Sequence, residues 1–146
     1  MISDFSTLYP EVVFAHTRNP RNFLALDHAI TAEGNSPLCG DQLVVYLKLD
    51  RGVVTRLTFL GSCCAIATAS ASIMTACVEG KTVPETEALF ERFRRLLAGD
   101  EDTPADDLGE LEAFRCLRDH PQRVSCALLP WHTLLEAVSK ATTTDI

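Results

Sequence analysis

The sequence predicts an α+β fold, a small antiparallel sheet of about three strands with helices packed on it. Apolar residues alternate with polar ones through Leu43, Val45, Leu47 and Leu49, and a second such run holds Val53, Leu57 and Phe59. That period belongs to half-buried strands. At Cys64 the period changes. Ala65 to Val78 is small and apolar with no turn signal, as expected of a buried helix.

The remaining elements follow in chain order. Leu8, Val12, Val13 and His16 recur at helical spacing, and Asn19-Pro20 ends that helix because the residue before proline avoids the α region. Arg18 to Asn22 is a tight polar exit. Ala29 to Thr31 is expected as a short strand, followed by the turn-forming stretch Gly34-Asn35-Ser36-Pro37. Asp50-Arg51-Gly52 is the hairpin turn between the alternating runs. In the helix that follows, Ala67, Ala69, Ser70, Ala71 and Ser72 permit close approach to the sheet, and Gly80 takes its C-cap. A third helix begins near Pro84, with Glu85 and Glu87 at its positive end, Arg92, Arg94 and Arg95 at its negative end, and Gly99 closing it. Asp100 to Asp107 is an acidic loop, Leu108 to Asp119 a short helix, and Pro121 a chain break. The last helix is expected from Cys126 to Ser139, with Leu128, Leu129, Leu135 and Val138 in the core and Pro130 in or near the first turn. The polar tail Ala141 to Ile146 is expected to fray. No repeat or linker interrupts the pattern, so one domain over residues 1–146, with an ordered core near 8–139, is the economical organisation.

Composition narrows the function classes. Apolar residues make up 47% and charged residues 23%, as in ordinary globular chains. No uncharged apolar run approaches the roughly 20 residues that span a bilayer, so no membrane association is expected. Met1 to Ser6 offers neither a basic nor an apolar signal region, which points to a cytoplasmic location. A net charge of −7 argues against a nucleic-acid partner. The arginine clusters Arg92, Arg94, Arg95 and Arg115, Arg118, Arg123 read as solvated helix faces.

Six cysteines need an explanation, because a reducing compartment disfavours structural disulfides and favours metal or redox chemistry. Cys39 lies in a loop before a strand, and Cys64 lies between a strand and a helix. Cys126 is expected to open the last helix with Ser125 as N-cap, a position that lowers a thiol pKa. Asp41 follows Cys39 by two positions and shares its side of an extended segment, with Gly40 removing bulk between them. Three thiolates and a carboxylate suit a tetrahedral zinc ion. Free cysteines are also common small core residues, and no CxxC pair is present, so spacing alone leaves both readings open. Cys77 and Cys116 read as core residues. Arg123 is placed either to steady the thiolates or Asp41, or to sit on a solvated surface. His16 reads as a satisfied, half-buried residue, and Trp131 as a core or interface anchor whose N–H needs a partner. His132 packs near Trp131 or approaches the site. Ser70 and Ser72 lack a His/Asp pattern, and Glu110 and Glu112 are expected to face water.

Four motifs in order, spanning roughly Leu8 to Val138, resemble the U-type iron–sulfur cluster assembly family, which includes SufU, IscU and the NifU N-terminal domain. These are His16 with Asn19-Pro20-Arg21-Asn22, then Cys39-Gly40-Asp41, then Cys64-Ala65-Ile66-Ala67 with Ala69-Ser70-Ala71-Ser72, and Arg123-Val124-Ser125-Cys126. The chain is most similar to the SufU branch. Ser125 stands where IscU-like members carry histidine, and Leu108 to Pro121 resembles the SufU insertion. Cys63 departs from the family, which has glycine there, and is open to three roles: substitute ligand, sulfur acceptor or filler.

The resemblance implies a SufE/NifU-like fold and a metal site on Cys39, Asp41, Cys64 and Cys126. It implies zinc as cofactor, Cys39 as acceptor of persulfide sulfur, and a pyridoxal-phosphate cysteine desulfurase of the SufS type as partner. Iron–sulfur client or carrier proteins would receive the product. The alternative is an IscU-like scaffold that assembles a transient [2Fe–2S] cluster on the same ligands. On the first reading the chain is a sulfurtransferase-like acceptor, and on the second a non-catalytic scaffold. A protein with a purely structural zinc is a remoter third.

Overall fold

Three strands, β1 (Ile30–Ser36), β2 (Asp41–Asp50) and β3 (Val53–Ser62), form an antiparallel sheet in the order β1-β2-β3. The structure is a computed structural model that describes residues 11–36, 40–99, 108–117 and 120–144. The alternation read from sequence becomes rows across the sheet: Ala32, Val45 and Phe59 pair in one row, and Ile30, Leu47 and Leu57 in another. Ala32, Val45, Phe59, Leu47 and Leu57 are buried under the helices. Arg51 and Gly52 both take left-handed φ, 56° and 79°, as a two-residue hairpin turn with the right twist requires.

β1 is longer than the sequence predicts. Gly34, Asn35 and Ser36 are strand residues paired with Leu43, Gln42 and Asp41, not a turn. The glycine answers packing rather than turn geometry. A Cβ on Gly34 would lie 2.0 Å from Thr133 Oγ1, so the last helix lies directly against the strand there. Pro37, Leu38 and Cys39 lie outside the described residues.

The helices are α1 (Glu11–Arg18), α2 (Ala65–Val78), α3 (Val83–Leu97), a 3-10 helix (Gly109–Leu117) and α4 (Pro121–Thr144). α1 stops at Asn19-Pro20 and α2 has the bounds read from its texture, buried on almost every face. Beyond α2, Gly80 N–H donates to the Val54 carbonyl and Val54 N–H to the Lys81 carbonyl. Glu79 accepts from Leu57 N–H and the Asn22 carbonyl from Phe59 N–H, so much of the outer edge of β3 is covered by its own chain. α3 starts with a capping box of Thr82 and Glu85, with Pro84 in the first turn. The expected acidic loop Asp100 to Asp107 lies outside the described residues.

α4 corrects the sequence reading most. It begins at Pro121, which opens the helix instead of breaking the chain, and it continues to Thr144 instead of fraying after Ser139. Cys126 therefore falls in its second turn, and Pro130 lies in the interior. The core stripe shifts with it. Trp131, Leu134, Ala137, Val138 and Ala141 are buried, whereas Leu128, Leu129 and Leu135 are only partly covered. Trp131 and Phe114 both pack on Phe93, with centroids 5.5 and 5.7 Å away.

Candidate metal centre

Asp41 is the first residue of β2 and is 4% exposed. Its Oδ1 accepts the Cys64 N–H at 2.8 Å. Cys64 is the N-cap of α2, with extended backbone, and its Sγ accepts the Ala67 N–H at 3.4 Å. Cys126 comes from α4 and is buried. One ligand atom from each of Asp41, Cys64 and Cys126 lies within 4.8 Å of the others. Asp41 Oδ2 is buried and has no hydrogen-bond partner among the described residues. A buried carboxylate oxygen left that way costs free energy unless a cation meets it. Two sulfurs and this oxygen are a donor set that fits zinc or an iron–sulfur centre.

The sequence-predicted site residues fare differently. Asp41, Cys64 and Cys126 converge. Cys39 lies outside the described residues, next to Gly40, whose φ of 73° is left-handed. A Cβ on Gly40 would touch nothing, so the glycine answers backbone conformation, not bulk. Cys63 stands apart from the three: its Sγ donates to the Gln42 carbonyl at 3.3 Å. Burial, then the charges of Asp41 and Cys64, push its thiol up to about 11. Arg123, in the first turn of α4, joins Val13, Phe14, Thr17, Cys64, Ala65 and Ile66 around a cavity of about 150 Å³ beside Cys64.

Two expectations about the thiols do not hold. Cys126 does not open a helix, and Ser125 does not cap one: its Oγ donates to the Pro121 carbonyl at 3.3 Å. Cys64 does sit at a helix start, yet burial raises its thiol pKa. The Ala67 N–H and a hydrogen bond with Cys126 offset that rise only in part. Cys126 also precedes Pro130 by four positions, and proline has no N–H to give to the Cys126 carbonyl, the bond a regular helix would make.

Other candidates resolve into structural contacts. His16 is 3% exposed, with Nδ1 2.6 Å from Ser72 Oγ and Nε2 3.2 Å from Glu110 Oε1. Ser72 therefore has the histidine and carboxylate that sequence distance hid. It is fully buried and accepts the Arg21 N–H at 2.7 Å, so it clamps the polar exit of α1 rather than acting as a nucleophile. Glu110 does not simply face water: it reaches His16 and lies 3.8 Å from Arg21. His132 stacks edge-on against Phe90 at 5.4 Å. The Trp131 indole finds its partner in Ser70 Oγ at 3.2 Å, a contact nothing in the sequence marks. Cys77 is partly buried, and burial raises its thiol pKa.

A three-stranded sheet with a carboxylate and two thiols gathered at a strand start, a helix cap and a second helix defines an α+β protein with a candidate thiolate–carboxylate metal centre. The chain belongs to the family described as NifU-like N terminal domain, which matches residues 8–127. It is 36% identical over 138 residues to the zinc-dependent sulfurtransferase SufU of Bacillus subtilis (strain 168), covering 94% of both chains. To the iron–sulfur cluster assembly scaffold protein IscU of Streptococcus pyogenes serotype M1 it is 34% identical over 140 residues, covering 96% of this chain and 88% of that one. The crystal structure of the N-terminal part of a nitrogen-fixing NifU-like protein from Brucella abortus superposes with a TM-score of 0.85 at 26% identity, covering 92% and 94% of the two chains. The expected fold class and family are thus borne out. Among the described residues, no helix is long and apolar enough to cross a membrane.

Proposed function

We propose that this chain is an iron–sulfur cluster assembly protein of the SufU type, a zinc-dependent acceptor of persulfide sulfur from a cysteine desulfurase. The observation that carries the reading is the convergence of Asp41, Cys64 and Cys126, with Asp41 Oδ2 buried and unpartnered among the described residues. The likeness to SufU over nearly the whole of both chains supports it. Cys39 completes the donor set. Bound zinc would hold these sulfurs as thiolates and perform no redox chemistry.

The chemistry belongs to Cys39. Its thiolate attacks the outer sulfur of the persulfide that the desulfurase carries on its own cysteine. A new S–S bond forms on Cys39, the bond to the donor cysteine breaks, and the electron pair leaves on the donor thiolate. No oxidant is consumed. Asp41 keeps the rest of the site in order, because its Oδ1 already fixes the Cys64 backbone. Arg123, beside Cys64, steadies the anionic sulfurs. The product passes to iron–sulfur client or carrier proteins.

Incubating the protein with desulfurase and cysteine should place a persulfide on Cys39, and Cys39→Ala should abolish the label. Unchanged labelling of Cys39→Ala would remove this assignment. The likeness to IscU favours a second reading, in which a transient [2Fe–2S] cluster is cargo on the same ligands. Anaerobic reconstitution with iron and sulfide separates the two: a stable chromophore that is lost in Cys64→Ser identifies a scaffold.

A further inference from the structure

Ser70 lies in the second turn of α2, six residues after Cys64, and is fully buried. A serine inside a helix commonly bonds back to the carbonyl four residues earlier. Here its Oγ reaches across to α4 and donates to the Ala127 carbonyl at 2.5 Å. The same Oγ accepts the Trp131 indole N–H at 3.2 Å. Ala127 and Trp131 are four apart and so share one face of α4, and both are fully buried. A single hydroxyl thus spends its proton and a lone pair on two points of the neighbouring helix. Ala127 follows Cys126 directly, and α2 carries Cys64 as its cap. The bonded triad therefore ties together the two helices that bring the two thiols to Asp41.

We infer that Ser70 is a positioning residue for the metal centre: with Trp131 it sets the register of α4 against α2, and thereby the place where Cys126 meets Cys64. Sliding α4 by one residue would move Cys126 by about 1.5 Å and turn it by about 100°. Metal–ligand distances tolerate only about 0.2 Å. Ala67, three residues before Ser70 on the same side of α2, and Ala127 on α4 are small and fully buried, so the polar triad adds a directional restraint that apolar contact alone lacks.

The inference rests on the metal-binding reading above, and the test separates their failures. Zinc affinity is measured by chelator competition for the wild-type chain, Ser70→Ala and Thr75→Val. Thr75 is the control. It is equally buried on the same helix, donates to the Ser72 carbonyl and accepts from Asn22, but has no bond to α4 among the described residues. Ser70→Ala should bind zinc about tenfold more weakly, the low end of the loss when a group that orients a ligand is removed, because Ser70 acts through α4 and not on a ligand, while Thr75→Val stays near wild type. At saturating cobalt, Ser70→Ala should also show weaker sulfur-to-metal charge-transfer absorption, as Cys126 leaves the ion. Wild-type affinity in Ser70→Ala, or equal losses in both variants, would overturn the positioning role alone. A wild-type chain that binds no zinc would overturn the role and the metal reading together. If Ser70→Ala does not fold, Trp131→Phe carries the same test, because it removes the indole donor and keeps an aromatic ring in the core.

Discussion

Asp41 divides its two oxygens between structure and metal. Oδ1 fixes the Cys64 amide, whereas Oδ2 is buried without a partner among the described residues. Asp41→Asn keeps the shape and an acceptor for Cys64 but loses the charge. It should weaken zinc binding by at least about tenfold in a chelator competition, and it should leave the melting temperature of the metal-free protein unchanged or raised. Unchanged affinity would remove Asp41 from the ligand set. The sequence singled out Asp41 by its place two residues after Cys39, but the extended segment expected there is interrupted by the left-handed Gly40, and β2 begins only at Asp41. The sequence did not separate Cys63 from Cys64, which are adjacent and chemically alike. Only the end of β3 and the start of α2 turn one thiol toward Gln42 and the other toward Asp41 and Cys126. The Ser72–His16–Glu110 chain was equally hidden, because its members come from three distant segments.

At the scale of elements, strongly periodic segments were readable and packing-driven ones were not. The Ala65–Val78 helix and the two long strands follow their own periods. Gly34 misled because glycine serves turns and close approaches alike, and only the crossing of α4 decides between them. Gly34→Ala should therefore destabilise the fold by about 1–3 kcal/mol in urea denaturation, the range for overpacking. A neutral result would mean that Thr133 can move aside. Pro121 misled for a similar reason, since proline both ends and starts helices. The capping box of α3 offers a check with a definite pH sign. The Thr82 amide and hydroxyl hold the Glu85 carboxyl below its ordinary pKa. The stabilisation from Glu85 is thus present above its unfolded pKa and fades as pH falls through the folded one. Thr82→Ala should cost about 1 kcal/mol at neutral pH, and the difference from wild type should shrink in acid.

For the whole molecule, most of the core is built from residues other than the candidate metal ligands. The sheet face with Val45, Leu47, Leu57 and Phe59 and the aromatic group of Phe93, Phe114 and Trp131 belong to a buried cluster that takes in Cys126 but is otherwise built from residues outside the metal site. Zinc should therefore add stability by mass action, about 2.7 kcal/mol at a hundredfold excess over Kd, and a chelator should lower the melting temperature without unfolding the chain. Unfolding on chelation, followed by circular dichroism, would indicate a purely structural zinc. On the proposed function, the thiol and carboxylate groups hold zinc for sulfur acceptance. The most direct measurement is the metal and acid-labile sulfide content of protein purified without oxygen or chelator. Zinc held for sulfur acceptance gives about one zinc per chain and no sulfide, the stoichiometry of a single tetrahedral site. Iron with matching sulfide would contradict it and make the chain a cluster scaffold.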